Sequence, residues 1–317
     1  MSGYSGIGIP PLVNAPSAYL YKLPMAGGGI REGILLRLGD RWGDAAPLQG
    51  WSRETLDDVR SCLDRCEDFV PASLRCALEA LDVDRAPLRS EVPLNALLDG
   101  DEARILAGAL RAFRHGCRCL KIKTSGVEVA RLPDLLSDIT RETGQLCQLR
   151  IDPNRTWTFD ETLRLADKLS HFPIEYLEEP LAGSSRLQEL ISRSACPIAL
   201  DETLREITPA ELSQFQGAAA LVLKPTLMGG FECCRKFAEE GEKLDMVSVV
   251  SAAYESGVGI HSLGRFAASL PMISSAGLDT YSRLAADVLV ARLDWTGFVF
   301  RADQPLPAID ESRLFLL

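Results

Sequence analysis

Between Cys117 and Pro225 five short apolar runs recur at near-regular spacing, and each ends in charge. CRCLKIKT carries Lys121 and Lys123, LCQLRIDPN carries Asp152, and IEYLEEP carries Glu178 and Glu179. CPIALDE then delivers Asp201 and Glu202, and ALVLKPT delivers Lys224. The steps from Lys123 through Asp152, Glu178 and Asp201 to Lys224 are 29, 26, 23 and 23 residues, the length of one strand, one helix and two loops. A continuous apolar run of five or six residues predicts a strand buried on both faces, as in a parallel sheet covered by helices. Repeated units of this kind close into a barrel whose chemistry gathers at the carboxyl ends of the strands. The spacing therefore predicts three carboxylate positions, with lysines on either side, around one mouth.

Upstream the rhythm is different. AYLYKLPMAGGGIREGILLRLGDRWGDAAPL alternates apolar and polar residues around AGGGI, which predicts an antiparallel hairpin or meander. WSRETLDDVRSCLDRCEDFV predicts a helix capped near Ser52, with Glu54 in its first turn, and PASLRCALEALDVDRA predicts a second helix. Strand, loop and helix then alternate from Val92. Helices are expected at EARILAGALRAFRHG, VEVARLPDLLSDITRETG, TFDETLRLADKLSH, RLQELISRSA, TPAELSQFQG and FECCRKFAEEGEKL, with MVSVVSAAYES as a seventh strand and AGLDTYS as a short eighth. The final segment, DWTGFVFRADQPLPAIDESRLFLL, alternates again and is expected to return to the N-terminal strands. The fold class is α/β, a modified TIM barrel (β/α)7β. Residues 96–291 form the barrel, and 1–95, joined by 292–317, form an α+β capping domain.

Composition narrows the partners. Of 317 residues, 46% are hydrophobic and 25% charged, ordinary for a globular protein with a large core, and the formal net charge of −10 argues against nucleic acid and anionic membranes. Nine scattered cysteines without a CxxC pair read as reduced core residues of a cytoplasmic protein. Three histidines are too few for a zinc site of Cys/His type. The glycines at 27–29 lack the spacing of a phosphate loop. The first 16 residues read as a loose tail rather than a signal peptide, and no apolar run is long enough to span a membrane.

Taken singly, each carboxylate has a plain structural role available: Asp152 starting a turn before Pro153, Glu178 and Glu179 in a helical first turn, Asp201 capping the next helix. Together at one mouth they would repel one another unless a cation neutralised them, and oxygen-only ligation with room for water suits Mg²⁺. Lys121 and Lys123 share one face of their strand, directed into the barrel. Two close ammonium groups are expected to lower the pKa of at least one, so that a lysine can act as a base. Lys224 approaches from the opposite side, unless it serves as a simple ion pair to Glu202 or Glu179.

These strand ends, KIK, DPN, EEP, DET and LKPT, resemble those of the enolase superfamily, in its muconate-lactonising-like branch. The longer segments WGDAAPLQGWSRETL, LRIDPNRTW, YLEEPL, LKPTLMGG, VVSAAYESG and GLDT resemble the o-succinylbenzoate synthase family of that branch. The resemblance implies Asp152, Glu178 and Asp201 as ligands of Mg²⁺, with Mn²⁺ as a substitute, and Lys123 as base with Lys121 beside it and Lys224 across the ring. It also implies Arg150, Asn154, Ser251 and Gly277 around the substrate, and AGGGI closing over the mouth. The implied reaction is dehydration of a small cyclohexadiene carboxylate by a carbon-oxygen lyase, acting as a monomer or small homo-oligomer. Two departures stand out, DPN where DAN is usual and VSAAYES in place of a more serine-rich strand.

An N-acylamino acid racemase or a dipeptide epimerase would use the same lysines, although Asp279 stands alone where an epimerase has a paired DxD. A catalytically silent barrel serving as a binding protein would be expected to lack a ligand or a base, and none is missing. A Schiff-base aldolase on Lys224 would leave three carboxylates without a role.

Overall fold

The computed structural model describes residues 15–65, 70–82 and 86–317; most of the N-terminal tail, and Cys66, lie outside the described residues. Alternation in the first segment produces three antiparallel strands, β1 (Ser17–Pro24), β2 (Ile30–Leu38) and β3 (Arg41–Ala45). One face of this sheet carries Ile34 and Leu36, both at 0% exposure, and packs on α1 (Leu56–Arg65) and α2 (Ala72–Asp82), while Tyr21, Leu23 and Leu35, also at 0%, point the other way into the main core. Approach at β3 is close enough that a Cβ on Gly43 would collide with the Ala77 carbonyl of α2. The first helix starts later than the sequence suggests. Thr55, not Ser52, caps α1 by exchanging hydrogen bonds with Asp58, whereas Ser52 accepts from the Leu48 amide. Glu54 lies outside α1 and accepts from the Ser73 amide at the start of α2, so it joins the two helices.

After β4 (Glu91–Pro93) the apolar runs become β5 (Ala96–Leu98), β6 (Cys119–Lys123), β7 (Gln148–Asp152), β8 (Ile174–Glu178), β9 (Ile198–Leu200), β10 (Ala220–Leu223) and β11 (Val247–Val250). They pair in parallel in that order, each with its sequence neighbour. The intervening helices are α3 (Glu102–Arg114), α4 (Leu132–Thr143), α5 (Phe159–Leu169), α6 (Leu187–Arg193), the short α7 (Pro225–Met228), α8 (Phe231–Lys243) and α9 (Gly257–Ala268). The helix expected at TPAELSQFQG is a 3₁₀ helix, Pro209–Phe215. No continuous eighth strand forms at AGLDTYS. Instead, isolated parallel bridges Ser248↔Ile273, Ser251↔Gly277 and Leu94↔Ala276 carry the ring from β11 back toward β5, and Asp279–Arg283 turns into a 3₁₀ helix.

The C-terminal segment returns as expected: β12 (Val299–Arg301) pairs with β4, and β13 (Leu314–Leu316) adds to the free edge of β1. The AGGGI segment forms a tight turn between β1 and β2. Gly28 and Gly29 adopt φ of 89° and 88°, which the tight reversal requires, and the turn is tied down by Ala26 N–H to the Arg283 carbonyl at 2.8 Å.

Candidate active site

Strand periodicity sorts the barrel interior into layers. Along β7, Arg150 and Asp152 point inward while Leu149 and Ile151 meet the helices, and along β8 the inward pair is Tyr176 and Glu178. The lower layer holds Tyr176, Ala199, Ala220, Val222 and Val249, with the Arg150 guanidinium 5.1 Å from the Tyr176 ring centre. Above it, at the carboxyl ends of β7, β8 and β9, stand Asp152, Glu178 and Asp201, each no more than 3% exposed.

Lysines occupy these carboxylates. Lys121 Nζ lies 2.6 Å from Glu178 Oε1 and 2.9 Å from Asp152 Oδ2. Lys123 Nζ reaches the same Asp152 oxygen at 2.8 Å and Asn154 Oδ1 at 2.9 Å, and Lys224 Nζ meets Asp201 Oδ2 at 2.5 Å. The second glutamate of the EEP run faces elsewhere. Glu179 holds a left-handed φ of 34°, takes hydrogen bonds from Arg155 and the Thr203 hydroxyl, and accepts the Asp201 amide at 2.8 Å, which fixes the backbone that carries Asp201.

Electrostatics follow from this pairing. Burial works against charge on Asp152, but Lys121 and Lys123 overcome it and hold its carboxyl below the usual range. Glu178 goes the other way: burial, and then the Asp152 charge, push it up to about 7, and burial raises Asp201 against the pull of Lys224. The expectation of a lysine depressed by its neighbour is overturned for Lys121. Burial does oppose its charge, yet Asp152 and Glu178 prevail and hold it well above the lysine range; Lys224 is likewise raised, by Asp201. Their nearest charges are carboxylates, not each other.

Above this layer opens a cavity of about 260 Å³ whose floor includes Lys121, Lys123, Asn154 and Lys224. Ser251 and Gly277 meet on one side, and Leu48 and Trp51 of the capping segment form a wall on another. Of the predicted site residues the structure brings all but one to the cavity or its carboxylate floor. Arg150 lies beneath it at 0% exposure, with its guanidinium spent on Glu175, Ser274, Ser275 and Asn95. Periodicity explains the difference: two residues before Asp152 on one strand is one layer deeper.

The capping wall was not legible in the sequence. Arg31 of β2, 6% exposed, donates to the carbonyls of Ala46 and Pro47 at 2.5 and 2.6 Å and to that of Tyr254 at 2.9 Å. It thus clamps the segment leading to Leu48 and Trp51 onto the loop after β11. Beside it, Asp44 Oδ2 accepts the amide and hydroxyl of Ser256 at 2.8 and 2.7 Å, while Asp44 Oδ1 accepts the Tyr21 hydroxyl at 3.0 Å. Burial nonetheless raises its carboxyl to about 6. A raised acid stabilises the fold fully below its unfolded value and loses that contribution as pH rises through the folded one. The stability difference between wild type and D44N should therefore shift against wild type by about 2 kcal/mol between pH 4 and pH 7. Urea denaturation of both proteins across that range measures it; a pH-independent difference would show Asp44 ionised throughout.

Among the described residues Glu178 Oε2 is a buried oxygen of the carboxylate layer without a hydrogen-bond partner. An orphaned carboxylate oxygen between two further buried carboxylates is a donor set suited to a hard divalent ion. With the lysines engaged, no three acidic, histidine or cysteine side chains among the described residues stand gathered as a metal cluster. The chemistry of the donors fits a cation that would compete with those lysines.

Comparison with known proteins agrees with this geometry. The chain is similar to o-succinylbenzoate synthase of Yersinia pestis (strain Pestoides F), 29% identical over 327 residues that cover 93% of this chain and 96% of that protein. It is equally similar to the o-succinylbenzoate synthase of Yersinia pseudotuberculosis serotype O:1b (strain IP 31758), 29% over 325 residues with the same coverage. In fold it resembles the muconate lactonizing enzyme from Pseudomonas fluorescens complexed with muconolactone, with a TM-score of 0.83, 19% identity and coverage of 94% and 97%. A substrate-liganded L-Ala-D/L-Glu epimerase from Bacillus subtilis gives 0.80 at 18% identity, covering 90% and 95%. Residues 104–304, more than half of the sequence, match the family model described as enolase C-terminal domain-like, and the chain belongs to that family.

Proposed function

We propose that the protein is a Mg²⁺-dependent o-succinylbenzoate synthase, which dehydrates 2-succinyl-6-hydroxy-2,4-cyclohexadiene-1-carboxylate. The reading assigns the chemistry to 96–291 and the upper walls to 1–95 and 292–317. The observation that carries it is the joint opening of Lys123 and Lys224 on one cavity above three buried carboxylates. Superfamily members generally use a divalent metal. Held by Asp152, Glu178 and Asp201, such an ion would supply positive charge against the substrate carboxylate and take up the carboxylate charge that now pairs with the lysines.

The carbon acid next to a carboxylate is weak, so its C–H bond breaks only when the enediolate is stabilised as it forms. The neutral amine of Lys123 takes that proton, and the electron pair stays on the substrate. The ring C–O bond then breaks, and the hydroxyl leaves as water with the proton Lys123 received. Lys224, facing the ring from across the cavity, sets positive charge against the anionic intermediate. Asn154 holds Lys123 through its Oδ1 and is itself fixed by an amide hydrogen bond to Asp152 Oδ1 at 2.9 Å.

The test follows the cyclohexadiene absorbance. We expect it to fall with Mg²⁺ or Mn²⁺ and to persist in EDTA; no loss with either metal would exclude the reading. The same two lysines support racemisation of an N-acylated amino acid as a second activity, visible as α-deuterium incorporated from D₂O. A dipeptide epimerase is disfavoured because Asp279, which lines the cavity while accepting the Leu97 amide at 2.8 Å, stands alone without the paired acid of a DxD.

A further inference from the structure

Asn95 stands just ahead of β5, in the apolar run VPLNALL, and is 1% exposed yet lines the cavity. Its backbone donates to the Ala276 carbonyl at 3.0 Å, and its side-chain Oδ1 accepts from Arg150 Nη1 at 3.0 Å. A guanidinium has donors only, so the amide must turn its oxygen toward Arg150 and its NH₂ away. Arg150 cannot yield, because its Nε and Nη2 are held by Glu175 at 2.7 and 3.2 Å and by Ser274 at 3.0 Å, and Nη1 also donates to the Ser275 carbonyl at 2.7 Å. Among the described residues the Asn95 NH₂ donates to nothing. A Cβ on Gly277 would come within 3.3 Å of Asn95 Oδ1 and 2.9 Å of Ser251 Oγ, so these three residues meet at one corner of the cavity.

We propose that Asn95 is a substrate-binding residue whose NH₂ donates to an acceptor oxygen, ketone, amide carbonyl or carboxylate, on the part of the substrate that passes Asn95 in the cavity. Arg150 is the positioning residue: it holds the amide oxygen beside Gly277 and leaves the NH₂ without a protein partner. A buried donor left unmatched costs binding, so the site favours ligands that bring an oxygen acceptor to Asn95. The inference rests on the reading of the cavity as the substrate site and adds what that site demands of the substrate arm remote from the proton transfer. The succinyl arm of o-succinylbenzoate and the acyl carbonyl of an N-acylamino acid both satisfy it.

The test compares two ligands by calorimetry with Mg²⁺ present: o-succinylbenzoate, and benzoate, which keeps a carboxylate but lacks the arm. N95D keeps the acceptor that Arg150 requires and removes the donor; N95L removes both without adding charge. Both variants should bind o-succinylbenzoate about 10- to 100-fold more weakly, and benzoate less than about threefold more weakly. Unchanged affinity for o-succinylbenzoate in N95L, or equal losses for both ligands, would overturn the assignment. So would loss of fold in both variants, which would show that Asn95 serves only Arg150. Wild-type protein that binds neither o-succinylbenzoate nor an N-succinylamino acid would sink the functional reading and the subsite together, whereas failure in the variants alone sinks only the subsite.

Discussion

Replacing Lys123 with alanine should abolish turnover while the protein melts within a few degrees of wild type. In the proposed reaction the loss is large because one side chain would serve twice, taking the proton from carbon and returning it to the leaving hydroxyl, and each such transfer contributes about 10²- to 10⁴-fold. The fold is spared for a geometric reason. Lys123 is the more open of the two β6 lysines, its side chain 26% exposed, and pairs of that kind contribute little to stability. Asp152 keeps Lys121 at 2.9 Å, so no buried charge is stranded. Steady-state rates, thermal melts and Mg²⁺ titration of K123A check the three parts separately. Turnover within about tenfold of wild type would remove Lys123 from the role of base, since that falls below what one positioned base contributes.

The barrel was legible because its strands are buried on both faces. A strand of that kind shows no polar alternation, so Lys121, Asp152, Glu178, Asp201 and Lys224 stand out against continuous apolar runs. Asp201 and Lys224 directly follow β9 and β10, and the other three lie within strands, all at the mouth. The eighth strand was not legible as built because SSAGLD contains no such run, and its backbone closes the ring by isolated bridges. Arg150 shows a further limit. Strand periodicity gives the face a side chain points to, but depth along the barrel axis decides whether it meets a ligand or supports the residue that does. The wall from the capping domain depends on contacts between residues more than 200 positions apart, Arg31 with Tyr254 and Asp44 with Ser256, which local pattern cannot announce. Nor could the anchoring of the glycine turn at 27–29 be read from sequence, because the hydrogen bonds that tie its stem, Ala26 to Arg283 and Ala285 to Pro24, join positions more than 250 residues apart.

Lys121 poses the opposite case to Lys123, and K121M should trade catalytic loss for a metal-dependent fold. With its side chain 9% exposed, Lys121 alone bridges Asp152 and Glu178. Removing one member of a buried charge set costs about 3–5 kcal/mol, because the remaining charges stay desolvated without a partner. Part of that cost is escaped by protonation. Glu178, already raised to about 7 with Lys121 present, would hold its proton more tightly without it. Its raised acid form contributes stability that is lost as pH rises through the folded value, so the K121M deficit in EDTA should grow between pH 6 and pH 8. A divalent cation replaces the missing ammonium with a larger charge at the same carboxylates, and binding only the folded state stabilises it by mass action. Mg²⁺ should therefore raise the melting temperature of K121M more than that of wild type, in which the cation must displace a lysine already paired. Equal Mg²⁺ responses in the two proteins would show that Asp152 and Glu178 do not hold the ion. A K121M deficit that is flat with pH would show that Glu178 is not the carboxyl left exposed to its neighbour's charge.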